Sequence, residues 1–399
     1  MISVGIDVSK GKSVVCILKP YGEIVKEPFE VSHTKEQLEA LATLLKSFEK
    51  EVRVVCEATG IYHEPVVESL HGAGIFVSVV NPLTMKKYGD RSIRKVKTDK
   101  ADAIKIASYG IDYWFNLASF QPREQIYTEL QLLNSSYEFY LNGHTRAKVN
   151  LSVVLEKTMP GITSTVCHQS NHSGDAKLGA IVSRYWHYDN ITKLSERRFV
   201  ESFCKWAKKQ RYQQNEKSAR RIYALASAGI PSLSSSTPST KMIVQEAVNI
   251  LLEYNRILAR ILSQMQALAS TLREYDMLLA MPGIGKILAS RLIASIGDVR
   301  RFHSGSALVA QAGIDIPSYQ SGQYTGTQRK ISKRGTPAIR KTAFQIVSSM
   351  LRVTPKEDNA VYEFVCKKLA EGKPRKVAKV AGINKLLRIY YARASELYS

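Results

Sequence analysis

Four acidic residues carry the first sign of chemistry: Asp7 in GIDVSK, Glu57 in CEATG, and Asp99 and Asp102 in KVKTDKADAIKIA. Asp7 and Glu57 each end a short apolar run. Asp99 and Asp102 are spaced i, i+3, which puts both on one face of a helix. If the two strand ends are neighbours and the helix packs over them, four carboxylates converge. Such a group repels itself unless cations compensate it, and carboxylate oxygens are the ligands that Mg2+ (or Mn2+) takes. Two such ions roughly 4 Å apart clamp the attacking and leaving oxygens of a phosphodiester. The flanking Lys10, Lys95, Lys97 and Lys100 would then meet a nucleic-acid backbone. Plainer readings fit the acids singly. Asp7 alone suits a turn, and Asp99 and Asp102 suit a first helical turn, where the macrodipole favours acids. Glu57, behind VRVVC, resists that treatment, because a carboxylate at a buried strand end needs a partner.

The elements that would position these acids are legible in the first 120 residues. ISVGIDVS, KSVVCILK and EIVKEPFEV read as three strands joined by Gly-containing turns, an antiparallel meander. TKEQLEALATLLKSFEK places Leu38, Leu41, Leu44 and Leu45 at helical spacing, with Thr34 as its cap. VRVVCEATG is a buried strand, HEPVVESLHGAG a helix stopped by glycine, and IFVSVV a further buried strand ended by NP. The order βββαβαβα predicts a mixed sheet with helices on its faces, of the ribonuclease-H-like kind. A sugar-kinase or actin-like ATPase shares this sheet and also opens on an Asp-bearing strand. Its phosphate-binding turn would be Gly/Thr-rich, which DVSKGKS is not.

The rest of the chain reads as helical. From 121 to 160 apolar residues recur at threes and fours until Pro160-Gly161. Residues 163–240 form an insertion of unknown role that ends in the low-complexity stretch PSLSSSTPST. KMIVQEAVNILLEYNRILARILSQMQALASTLREY is a long amphipathic helix whose stripe suits a coiled coil, either with the earlier helix or with another protomer. LLAMPGIGKILASRLIASIGDVRRF reads as a helix-hairpin-helix, with Gly283, Gly285 and Lys286 offering backbone N–H groups and charge to a phosphate. The domain expectation is 1–120, 121–275 and 276–399, the last mainly α. The basic set Arg329, Lys330, Lys333, Arg334 and Arg340 follows Ser321 in PSYQSGQYTGTQRKISKRG and just beyond it. From the residues alone this is a Gly-rich basic loop for phosphates with a bystander serine. Cys167, His168 and His172 have a faint metal-like look that reads as chance, and SRYWHYDN reads as a packed aromatic cluster before a base-stacking one.

Bulk properties agree with a polyanionic partner. The 399 residues carry 57 Lys+Arg against 35 Asp+Glu, a net charge of +22, which points to nucleic acid before membrane. There is no run of 18 apolar residues, the start lacks the basic n-region of a signal peptide, and five cysteines fall in no pattern. A cytoplasmic, nucleoid-associated protein with reduced thiols is expected.

GIDVSK, CEATG and KTDKADA resemble the three acidic blocks of the DEDD transposases. These are insertion-sequence recombinases with a Holliday-junction-resolvase-like N-terminal domain, related to the Piv invertases. The likeness continues in MPGIGKILASRLIASIGDVRRF, LVAQAGIDIPSYQSGQYTGTQRKISKRGTPAIRK and GKPRKVAKVAGINKLLRIYYA, covering about 1–160 and 242–395. The resemblance implies that Asp7, Glu57, Asp99 and Asp102 are catalytic metal ligands. It implies that Ser321, before Gly322, attacks DNA phosphate and holds the strand as a phosphoserine ester, with Ser318 as second choice. His303 is the only histidine near in sequence, so metal-assisted activation of the serine is expected. The resemblance further implies a structured bridge RNA that pairs with donor and target DNA, and a homo-oligomer, a dimer per DNA and a tetrameric synapse. Two other functions compete. A junction-resolving nuclease would hydrolyse with the acids and without Ser321, and a non-catalytic nucleic-acid-binding protein would need neither.

Overall fold

The computed structural model describes residues 1–89, 98–122, 124–166, 172–212, 216–316, 320–321, 324–325, 330–353 and 359–399. The chain divides into two compact units, Met1–Arg123 and Glu124–Ser399.

The first unit is built on a five-stranded sheet, β1 (Ile2–Ser9), β2 (Lys12–Leu18), β3 (Ile24–Ser32), β4 (Val52–Glu57) and β5 (Phe76–Val80), in the order β3-β2-β1-β4-β5. β1, β2 and β3 pair antiparallel, whereas β1–β4 and β4–β5 are parallel. Helices α1 (Lys35–Lys46), α2 (Glu64–Gly72), α3 (Pro82–Gly89) and α4 (Asp99–Asp112) cover it. This is the mixed, ribonuclease-H-like sheet that the strand pattern predicts. Thr34 caps α1, its hydroxyl accepting from the Gln37 N–H at 3.4 Å. The short helix α3 is absent from the sequence reading. Asn81 starts it by accepting the Leu83 N–H at 2.8 Å.

Alternation along the strands decides which side chains meet which helices. Ile2, Val4, Ile6 and Val8 of β1 join Val54 and Cys56 of β4 in a core with α1 and α2. The opposite parity, Ser3, Gly5 and Asp7 in β1 and Val55 and Glu57 in β4, therefore faces the other way, where α4 lies. Helix α4 sits very close to the sheet. Ser3 Oγ donates to the Ala107 carbonyl at 2.7 Å. A Cβ placed on Gly5 would collide with the Ala103 carbonyl and the Ala107 nitrogen, and one on Gly110 would collide with Ser3 Oγ. Small residues on both surfaces thus set the height of the helix above β1.

The second unit has helices α5 (Gln125–Thr158), α6 (Ile162–Val166), α7 (His172–Tyr185), α8 (Asp189–Thr192), α9 (Glu196–Lys209), α10 (Glu216–Ala228), α11 (Pro238–Ala269), α12 (Arg273–Leu279), α13 (Lys286–Ile296), α14 (Gly305–Gln311), α15 (Pro337–Met350), α16 (Ala360–Ala370) and α17 (Arg375–Tyr398). The long helices α5 and α11 pack along each other within the chain, so the stripe on α11 is satisfied by the earlier helix. They approach so closely at Gly143 that a Cβ there would lie 2.7 Å from the Tyr254 ring. One core joins their 147–155 and 244–251 ends to α6–α10. A second joins their other ends to α12–α17. Residues of the 163–240 insertion thus pack into a core shared with the ends of α5 and α11, and SRYWHYDN is part of it: Tyr185 and Tyr188 are buried, with the Tyr185 and Phe199 rings 5.3 Å apart. Cys16, Cys56, Cys204 and Cys366 are free thiols. Among the described residues no helix is long and apolar enough to cross a membrane.

Candidate active site

The register of the sheet brings two of the four acids side by side. β1 and β4 run parallel with Ile6 opposite Cys56. One residue further along, Asp7 and Glu57 are on the α4 side of the sheet, Asp7 still paired with Val14 and Glu57 with Val80. Helix α4 begins above these strand ends. Thr98 is its N-cap, the hydroxyl accepting the Ala101 N–H at 3.2 Å. The capping task is therefore done by Thr98, and the carboxylates of Asp99 and Asp102 in the same turn are left for another use.

The charges of Asp102, Asp99 and Glu57 all bear on Asp7. The Asp7 carboxyl is pushed up to about 6, first by burial, then by the charges of Asp102, Asp99 and Glu57; the Lys105 ammonium opposes the rise. Glu57 is also raised, mainly by burial, with Lys105 lowering it and Asp102 raising it. Lys105, one turn along α4, forms an ion pair with Asp102. Its stem packs beside Gly89 at the end of α3. The sequence reading missed Lys105. Its i, i+3 spacing from Asp102 was the available signal.

An all-oxygen donor set of carboxylates at strand and helix ends is the kind that suits Mg2+ or Mn2+. Among the described residues, no three His, Cys, Asp or Glu side chains already stand at ligating distance of a common point.

The other residues singled out in the sequence fall as follows. Lys10 and Lys100 are exposed beside the acids, on the β1–β2 turn and the first turn of α4. Lys95 and Lys97 lie outside the described residues, as do Ser318, Gly322, Arg329, Cys167 and His168. Gln320–Ser321 pairs antiparallel with Tyr324–Thr325 in a two-stranded ribbon. The base of this segment is clasped by backbone. Thr336 N–H donates to the Gln311 carbonyl at 2.7 Å, Lys333 N–H to that of Gly313 at 2.9 Å, and Ser332 N–H to that of Asp315 at 2.9 Å. Lys333 and Arg334 are exposed there. Arg340 has a positioning task, donating to the carbonyls of Ala312 at 2.8 Å and Gly335 at 3.2 Å.

In the hairpin between α12 and α13 the two glycines differ. Gly283 has φ +85°, and a Cβ on it would lie 2.8 Å from the Met350 Cα, so it is required by packing. Gly285 is the N-cap of α13, with open space where a Cβ would be. It and Lys286 are exposed, which leaves this helix start open to an anion. Arg291, buried in α13, bonds Gln345 at 2.9 Å and pairs with Glu138, tying the hairpin to α15 and α5.

Two family models and several known proteins match this chain. Residues 4–160 match the family DEDD_Tnp_IS110 (Transposase). Residues 275–363 match the Transposase IS116/IS110/IS902 family. The pilin gene-inverting protein of Moraxella bovis is 24% identical over 343 residues, 86% of this chain and 79% of that protein. A probable family 20 transposase of Pseudomonas aeruginosa is 33% identical over 141 residues, 35% of this chain and 40% of that one. Among solved structures, T. thermophilus RuvC in complex with Holliday junction substrate aligns at 14% identity and a TM-score of 0.23, covering 29% of this chain and 96% of that one. Matched in both its acidic first unit and its hairpin-bearing second one, the chain belongs to the IS110 family of insertion-sequence transposases and is an enzyme of the DNA recombinase class.

Proposed function

We propose that the chain cuts and rejoins DNA strands, with Asp7, Glu57, Asp99 and Asp102 holding Mg2+ or Mn2+ and Ser321 taking the strand as a phosphoserine ester. The observation that supports this reading is that three acids from two other elements, Glu57 of β4 and Asp99 and Asp102 of α4, bear on Asp7 of β1, whose carboxyl burial and these charges push up to about 6. When bound, the ions would polarise the phosphate and stabilise charge on the attacking and leaving oxygens. Ser321 Oγ forms a bond to phosphorus as one P–O bond to the DNA breaks; the serine proton passes to solvent water, and the departing 3′- or 5′-oxygen takes one up to leave as a free hydroxyl. The reverse attack by another strand end restores the serine, so bond energy is conserved and no nucleotide cofactor is consumed. Arg334, Lys333 and Lys286 are placed on exposed surface of the second unit, where phosphates would reach them.

The net charge of +22 suits a protein that grips two nucleic acids. We assign the reading of sequence to a structured bridge RNA that pairs with donor and target, the protein holding backbone shape. A homo-oligomer, a dimer on each DNA and a tetramer in the synapse, supplies one serine for each strand exchanged.

Substitution of the acids tests the metal assignment. Asp7→Ala, Glu57→Ala, Asp99→Ala and Asp102→Ala should each fold and bind nucleic acid but abolish Mg2+-dependent strand cleavage. Wild-type cleavage by any two of them would remove the tetrad from the mechanism. Sequencing the nucleic acid that copurifies tests guidance: one discrete structured RNA is expected, and random cellular RNA would contradict it.

A further inference from the structure

A groove of about 610 Å3 lies in the second unit, between α17 and both ends of the stretch that carries Ser321. Its floor is aliphatic, formed by Ile314, Ile331 and Ala381, and Phe364 of α16 lines it as well. Ile316 and Val377, also part of the lining, are 54% and 52% exposed, unusual for aliphatic side chains that face one cavity. All charged residues of the lining are cations: Lys330, Lys333, Lys376, Lys385 and Arg388. Arg388 is held in place by Asn384 at 2.8 Å and Ser306 at 3.1 Å.

We propose that this groove receives one or two unpaired nucleotides of the DNA strand next to the reacting phosphate. An occupant must offer a flat apolar surface to the floor and negative charge to the rim. An unstacked nucleotide offers both. A protein helix would offer the apolar face and would need acids to match five cations. An intact duplex would offer the charge, but its bases are turned inward. Grooves for single strands combine these parts, an aromatic side chain for the base and a basic margin for the backbone. Lysine stems can lie along the floor while their ammonium groups stay at the margin. Residues 314–316 and 330–333 are the two ends of the Ser321 stretch, so a nucleotide held here would fix the register of the strand relative to that serine. That the strand is DNA rests on the proposed role of Ser321; that the groove takes an unpaired nucleotide does not.

The test is photocrosslinking of the full-length protein to oligonucleotides carrying a 5-iodouracil base, as single-stranded DNA, duplex DNA and single-stranded RNA. Single-stranded DNA should crosslink to the peptide around Phe364, and the duplex should not. Ala381→Phe, which fills the groove, should lower that crosslink by roughly tenfold, as expected from losing one stacked base. Duplex affinity should change by less than about twofold, since it rests on phosphate contacts. Lys376→Glu, an exposed position, should lower the crosslink as well and serves if Ala381→Phe fails to fold. Crosslinking that is unchanged in both variants, or that maps elsewhere, overturns the proposal. Crosslinking to RNA alone overturns the assignment to DNA. A change of oligomeric state in Ala381→Phe without nucleic acid overturns it in favour of a protein interface. Ser321→Ala should crosslink as well as the wild type, so failure of the serine chemistry and failure of the groove give different results.

Discussion

Gly5 of β1 lies directly beneath the backbone of Ala103 in α4, with no room for a Cβ between them. That contact fixes the helix that carries Asp99 and Asp102 at the height where they meet Asp7, two residues further along the strand. Gly5→Ala would put its methyl against the Ala103 carbonyl and within 2.8 Å of the Ala107 Cα. Backbone cannot rotate away as a side chain does, so at least the ~1–3 kcal/mol typical of overpacking is expected in denaturant unfolding. Strand cleavage should fall with it. Gly72→Ala, with nothing near its Cβ, should stay within ~0.5 kcal/mol of the wild type. Equal stability of the two variants would contradict the close seam.

The raised Asp7 carboxyl makes a pH prediction with a definite sign. Its folded-state value is about 6 against an ordinary 3.8. Between those values the folded protein holds a proton that the unfolded chain has released, so this group's contribution to stability falls as pH rises from about 4 to 6. Asp7→Asn should abolish that part of the slope and be more stable than the wild type at pH 7.5 in the absence of divalent ions. Mg2+ should raise the melting temperature of the wild type more at pH 7.5 than at pH 5. A larger Mg2+ effect at pH 5 would contradict the carboxylate site.

Lys105 holds Asp102 by an ion pair and stands where a bound cation would be repelled. Removing one positive charge from the edge of a metal site strengthens cation binding. Lys105→Met should therefore bind Mn2+ severalfold more tightly, measured by Mn2+ paramagnetic resonance or calorimetry. Weaker binding would show that Lys105 supports the site rather than competing for it.

The sheet was legible because period-2 alternation and strand-end acids are local signals. The burial parity of Ile2, Val4, Ile6 and Val8 assigns Asp7 to the opposite face without any knowledge of α4. The proposed acid tetrad is an expectation of the joint pattern, since Asp7, Asp99 and Asp102 each have a local explanation when taken singly and Glu57 alone resists one. The height of α4 was not legible, because it depends on tertiary approach, whereas the Lys105–Asp102 pair and the start of α3 at Asn81 did have local signals that went unused. Gly5 in a strand looks like any weak strand residue until Ala103 is placed over it. The same holds for PGIG: spacing cannot distinguish Gly283, which packs on Met350, from Gly285, which faces open space.

Those two glycines should separate in experiment. Gly283→Ala meets both a left-handed backbone and the Met350 backbone, and should lower the melting temperature clearly. Gly285→Ala should leave stability nearly unchanged and weaken duplex binding. Lys286→Ala should do the same and reduce the slope of log affinity against log salt by about 0.9, one phosphate contact. Unchanged binding in both Gly285→Ala and Lys286→Ala would take the hairpin out of the DNA interface.

The most direct measurement of the account is mass spectrometry of the protein trapped during strand cleavage with Mg2+. A nuclease-sensitive band shifted on denaturing gels, with a nucleotide adduct on Ser321 in the YQSGQYTGTQR stretch, is the predicted result, and Ser321→Ala should lose the adduct while still binding nucleic acid. An adduct that persists in Ser321→Ala and vanishes in Ser318→Ala would move the nucleophile. Cleaved DNA with free 5′-phosphate and 3′-hydroxyl ends and no adduct under any condition would contradict the phosphoserine mechanism and leave a hydrolytic nuclease built on the acid tetrad alone.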